Sequence, residues 1–155
     1  MISLRFVSHP GPFNICVRVA QYGFWPSHVE ALLPDGRLLG SRFIGGVQAR
    51  AHDYDGGNFI REQYVEVETT QDQEDIFYAF LNSQIGKPFD WLAIASFVSG
   101  RDWQATDSWF CAELIASGLC YSGLFPKELA VGFTHITPRD VMLLISAIKG
   151  CKDGQ

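Results

Sequence analysis

Two side chains in this sequence have the chemistry to make and break acyl bonds together, Cys111 and His28. Cys111, Leu114, Ile115, Gly118 and Leu119 recur at i, i+3, i+4, i+7 and i+8, which predicts a helix with one inward stripe. Ser108 or Asp107 is available as its N-cap, so that Cys111 falls in the first turn. There the unpaired amides and the positive dipole end favour thiolate, and the spacing therefore predicts a thiol pKa below the free value of about 8.5. His28 stands in the strand-like run 27–33. Period two puts it on the face of Glu30, opposite Val29, Ala31 and Leu33. A neutral imidazole so placed can take a thiol proton and return it to a leaving group. Taken singly, a buried Cys or a satisfied His is an ordinary packing residue, and it is the pair that points to chemistry. His9 and His135 lie beside turn or helix-start signals and His52 in a polar loop, so none has a better context.

Elements must hold these groups in place. Residues 2–7 alternate weakly as a first strand, ended by His9-Pro10-Gly11-Pro12, after which Asn14 is placed to cap a short helix through Tyr22. The runs 27–33 and 38–43 flank an Asp35-Gly36 turn and predict a hairpin. Gly45-Gly46 and the polar stretch 53–58 punctuate the chain before Tyr64-Val65-Glu66-Val67-Glu68 reads as a strand that buries Val65 and Val67. Thr70 and Gln73 fit a capping box for a helix carrying Ile76, Phe77, Phe80 and Leu81, stopped by Gly86 and Pro88. A more apolar helix is expected over 90–98. A last helix begins at Thr137-Pro138 and uses Val141, Leu144, Ile145 and Ile148, followed by a polar tail from about 149.

Composition narrows the function classes. With 155 residues, 47% hydrophobic and 19% charged, the chain is expected to form one globular domain over 1–155, neither disordered nor a coiled coil. A net charge of −5 without a basic stripe disfavours nucleic acid as partner. The apolar stretch 91–98 is far short of the roughly 20 residues of a membrane span. No secretory signal is read at the start, and Cys16, Cys111, Cys120 and Cys151 match neither a disulfide scaffold nor a C-x-x-C pair, so reduced thiols and a cytoplasmic location are expected. Neither metal nor cofactor is expected. His52-Asp53-Tyr54-Asp55 lacks a partner cluster, Cys120 is irregularly spaced from Cys111, and there is no phosphate loop or G-x-S-x-G elbow.

Several segments together carry a family resemblance: Ser27-His28-Val29-Glu30, the Asp35-Gly36 hairpin, Gly86-Lys87-Pro88-Phe89-Asp90, Trp109-Phe110-Cys111-Ala112-Glu113-Leu114-Ile115 and Ile136-Thr137-Pro138-Arg139-Asp140. Over residues 1–148 the chain resembles the circularly permuted NlpC/P60 superfamily of papain-like cysteine hydrolases. That group includes YiiX-like proteins, their poxvirus relatives and, more distantly, the lecithin retinol acyltransferase group. The distinctive element is order: a strand His, a hairpin, then a C-x-E-L segment opening a helix. The resemblance implies an α+β fold in which the Cys111 helix packs its N-terminus on a small antiparallel sheet and His28 reaches the thiol. It also implies amide or ester hydrolysis through a thioester on small peptide, amide or acyl substrates, peptidoglycan-type peptides among them. Alternatives are a binding module that kept the fold without turnover, and acyl-lipid thioesterase or acyltransferase work.

The chain departs from the family at the third polar residue, because the position that carries it on the partner strand in relatives falls on Gly40. Glu30, on the His28 face, is the first choice to orient the imidazole, fix its tautomer and raise its pKa. Ser41 lies near Glu30 if Asp35-Gly36 is a two-residue turn, and Gln48 follows the Gly45-Gly46 turn. Trp109 either fills core space or walls the cleft, and Glu113 reads first as a complement to the first turn of its helix.

Overall fold

The computed structural model describes residues 1–92, 107–126 and 136–152. The expected helix over 90–98 lies largely outside these residues, as do His135 and the end of the tail. The fold is α+β: a five-stranded antiparallel sheet with four helices among the described residues. The strands are β1 (Ile2–Ser8), β2 (His28–Leu32), β3 (Leu38–Arg42), β4 (Gly46–Arg50) and β5 (Arg61–Val67), in the order β4-β3-β2-β1-β5. The helices are α1 (Pro12–Ala20), α2 (Gln71–Ser83), α3 (Cys111–Tyr121) and α4 (Pro138–Lys152).

Helix α1 starts earlier than expected. Gly11 at φ +110° is its N-cap and Pro12 takes a first-turn position that needs no N–H, while Asn14 donates to the Pro10 carbonyl at 3.1 Å. Helix α2 begins as expected, with Thr70 and Gln73 exchanging both capping-box bonds. Phe77 and Leu81 are buried, but Ile76 is exposed. The expected stripe of α3 is buried in full. Its Gly118 sits against Phe77, so closely that a Cβ there would lie 2.9 Å from the ring. Helix α4 runs through Lys152, past the point where a polar tail was expected. The main core lies where α3, with α2 packed against it, covers β2 and β3, and its buried cluster includes Leu4, Val29, Ala31 and Leu39.

Two differences in the sheet bear on the site. The β2–β3 loop is Pro34-Asp35-Gly36 rather than the two-residue Asp-Gly turn. Leu33 N–H donates to the Arg37 carbonyl at 2.8 Å, and Gly36 adopts φ +83°. Ala31 therefore pairs with Leu39 and Leu32 with Leu38. Continuing that register sets Gly40 opposite Glu30 and turns Ser41 to the other face. The second difference is β4, a strand the sequence reading missed, reached by a tight turn in which Gly45 and Gly46 both have positive φ. At Gly46 the chain comes so near the Lys87 carbonyl that a Cβ would lie 2.2 Å from it. Val47 N–H bonds that carbonyl at 2.9 Å, and Gly86 N–H bonds the Val47 carbonyl at 3.0 Å. The segment 86–90 is thus fixed along β4. In turn it holds residue 109, through Trp109 N–H to the Pro88 carbonyl at 3.1 Å and Asp90 N–H to the Trp109 carbonyl at 3.2 Å. These bonds set the entry of the chain into α3.

Candidate active site

Strand β2 delivers His28 and Glu30, and β1 places Arg5 opposite Glu30 in the antiparallel register. All three side chains are buried. Arg5 donates from Nη1 to Glu30 Oε1 at 2.8 Å and from Nη2 to Asp55 Oδ2 at 2.7 Å, and its Nε bonds Glu62. The Tyr54 hydroxyl donates to Glu30 Oε2 at 3.1 Å, and the same oxygen lies 3.3 Å from His28 Nε2. Glu30 is therefore held from three sides. Burial alone would push its carboxyl up, but the His28 hydrogen bond and charge, followed by the Arg5 guanidinium, bring it well below the ordinary carboxylate value.

Glu30 thus lies within hydrogen-bond reach of His28, and Gly40 leaves the room for it. A Cβ on Gly40 would lie 2.8 Å from Glu30 Cβ. The carboxylate stands on β2, and a glycine on the partner strand leaves room for it. The effect on His28 is opposite to the expectation. Burial pushes its pKa down to about 4, outweighing the Glu30 hydrogen bond and charge that favour imidazolium. With Glu30 an ionised acceptor at Nε2, the neutral ring carries its proton there, and Nδ1 is the basic nitrogen.

Cys111 is the first residue of α3, and the N-cap is Phe110, not Ser108 or Asp107. Phe110 has no oxygen to cap with. Instead Glu113 reaches back to accept from Phe110 N–H at 3.4 Å, the side-chain half of a capping box. Burial raises the Glu113 pKa to about 7, with the Phe110 amide pulling the other way. The Cys111 thiol is buried, and this too overturns an expectation: desolvation lifts its pKa to about 12, although backbone amides of Val29 and Ala112 favour the thiolate. The helix-start effect is real but smaller than the cost of removing the sulfur from water. At neutral pH the resting pair is thiol and neutral imidazole.

Cys111 and His28 line one cavity of about 390 Å³, together with Arg42, Tyr54 and a set of apolar side chains including Phe13 and Phe110. The Val29 amide that points at the sulfur belongs to the residue next to His28. Other residues singled out in the sequence lie elsewhere. Ser41 donates to the Trp109 carbonyl at 2.6 Å and so clamps the entry into α3. Gln48 is exposed on β4 and does not line the cavity, and neither does Trp109, whose indole N–H donates to Gln84 at 3.0 Å. Sequence reasoning missed Arg5, Tyr54 and Arg42. A charged residue between Leu4 and Phe6 in an otherwise apolar strand was a usable signal for Arg5. Tyr54 lies in a loop whose path no periodicity encodes. Among the described residues no three His, Cys, Asp or Glu side chains gather to hold a metal ion, and no helix is long and apolar enough to cross a membrane. Comparison with protein-family models and with curated proteins finds no match.

Proposed function

We propose that this chain is a cysteine hydrolase of the permuted papain-like kind, acting on amide or ester bonds. The observation that carries this reading is the shared cavity: a Cys at the first position of a helix and a His whose Nε2 is held by a buried, ionised Glu30 both open onto it. The α+β arrangement, with the cysteine helix packed on β2, agrees with it. In the reaction the Cys111 sulfur attacks the acyl carbon as its proton passes to His28 Nδ1. The C–N or C–O bond breaks, and His28 returns the proton to the leaving amine or alcohol. Water then adds to the thioester, and the acid leaves. Because the resting pair is neutral, proton transfer accompanies attack rather than preceding it, and Glu30 stabilises the imidazolium as it forms.

The test is hydrolysis of a panel of acyl p-nitroanilides, p-nitrophenyl esters and murein-derived peptides, with intact mass measured after rapid quench. A Cys111-bound acyl adduct and at least about 100-fold loss of turnover in Cys111→Ala and in His28→Ala are the expected results. Activity that survives Cys111→Ala would end the proposal. A non-catalytic binding module is the second reading. It is favoured by the burial that keeps the thiol protonated, and it predicts ligand binding with no adduct on any member of the panel.

A further inference from the structure

Two guanidinium groups line the cavity around Cys111, and among the described residues no carboxylate stands within ion-pair distance of either. Glu30, Asp55 and Glu62 all bind Arg5. Arg42 and Arg50 line the cavity, and among the described residues neither takes part in an ion pair. Arg50 is satisfied by the backbone, donating to the carbonyls of Gly40, Ile44, Gly46 and Gln48 at 3.1–3.3 Å. Among the described residues Arg42 lies over the face of Tyr54, 4.8 Å from the ring centroid. Its charge is near enough to the reacting groups to oppose protonation of His28 and to favour the Cys111 thiolate. It also adds to the effect of burial in lowering the Arg50 pKa. Two guanidinium charges beside one cavity attract an anion into it.

The rest of the lining is mostly apolar. Phe13, Phe43 and Phe89 form an aromatic group with centroids 5.3–6.5 Å apart, and Ile44 and Phe110 add to it. A cavity of about 390 Å³ is in the range for a small ligand. We propose that the site takes an acyl compound with a free carboxylate, such as an N-acyl amino acid or a short acyl-peptide acid. The carboxylate pairs with Arg42, and the apolar group lies on the Phe13, Phe43 and Phe89 rings. One planar guanidinium matches one carboxylate through two parallel hydrogen bonds. That such a compound is also cut rests on the hydrolase reading; that it binds through Arg42 does not.

Binding is therefore measured in the full-length Cys111→Ala chain, where turnover cannot interfere, by calorimetry with phenylacetylglycine and with its neutral amide, phenylacetylglycinamide. The acid is expected to bind about tenfold tighter or better. Arg42→Gln should shrink the gap below about threefold, and Arg42→Lys should keep part of it. Circular dichroism melts establish that both variants fold. Equal affinities in the parent, a gap that survives Arg42→Gln, or no binding of either compound at about 10 mM would each overturn the proposal. Phenethyl phosphate binding more tightly than the acid would also overturn it, in favour of a phosphate ligand. If the carboxylate preference holds while wild-type protein hydrolyses nothing, the hydrolase reading fails and the anion site stands.

Discussion

At the scale of single residues, the site is governed by competition between burial and local charge. Glu30 keeps its ionised form because His28, Arg5 and Tyr54 all bind it, whereas at His28 and Cys111 desolvation outweighs the Glu30 carboxylate and the Val29 and Ala112 amides that favour their charged forms. A preformed thiolate–imidazolium pair would give a Cys111 alkylation rate that levels off at low pH. Here iodoacetamide labelling of Cys111, followed by peptide mass mapping, should instead rise steadily from pH 6 to about pH 10, close to tenfold per unit. A plateau near neutral pH would show that the ion pair exists at rest. Glu30→Gln leaves the Arg5 guanidinium with one fewer anion in a buried place, so a loss of about 2–4 kcal/mol is expected in urea unfolding. At Gly40 the obstacle is steric. Gly40→Ala brings a methyl against Glu30 Cβ, which cannot swing away as a side-chain tip would, and should cost about 1–3 kcal/mol. Any catalytic activity should fall with it.

At the scale of elements, the entry into α3 is what brings sulfur and imidazole to one cavity. No strong N-cap residue begins this helix. Its start is fixed by the 86–90 segment, by Ser41 on the Trp109 carbonyl and by Glu113 on the Phe110 amide. Ser41→Ala leaves the fold of β3 untouched but removes this clamp. It should lower stability by about 1 kcal/mol and, on the hydrolase proposal, reduce turnover more than that loss implies, as seen by comparing kcat with the midpoint of thermal unfolding. Unchanged kcat would mean that the other two contacts suffice. The α2–α3 contact depends on a missing side chain, since Gly118 admits the Phe77 ring.

At the scale of the whole molecule, the buried ionisable groups set the pH dependence of stability. The folded His28 pKa lies near 4 against an ordinary 6.5, so the unfolded chain binds a proton first as pH falls, and stability drops through that window. Glu30 acts in the same direction. Its folded pKa is depressed below the ordinary 4.5, and its contribution, present above that value, is lost as pH falls further. On the alkaline side Cys111 titrates near 12 when folded against 9.0, so stability falls again above about pH 9. Glu113 acts against His28: its folded pKa near 7 lies above the ordinary 4.5, so its contribution falls as pH rises through that window, the two nearly cancel between about pH 4.5 and 6.5, and the acid loss in urea unfolding should gather below about pH 4.5. In a His28→Gln chain the Glu113 contribution stands unopposed, so stability between pH 6.5 and 4.5 should rise as pH falls, and an unaltered slope would show that His28 does not contribute.

The sequence by itself determined the helix of Cys111 and its buried stripe, the capping box of α2, and the shared face of His28 and Glu30. Those features are local, set by periodicities of a few residues and by one side chain meeting a nearby amide. The pairing register of β2 with β3 needed one more fact, the length of the loop, and a shift of one residue exchanged Ser41 for Gly40 opposite Glu30. Only the tertiary structure decided the ionisation of the pair. Charge stability depends on how much water remains around a group and on which distant side chains replace it, and Arg5, Tyr54 and Asp55 reach Glu30 or its partner from other parts of the chain. No spacing in the sequence encodes that proximity. For the same reason Arg42, an ordinary strand-end cation by sequence, became a charged group beside the thiol once the chain had folded.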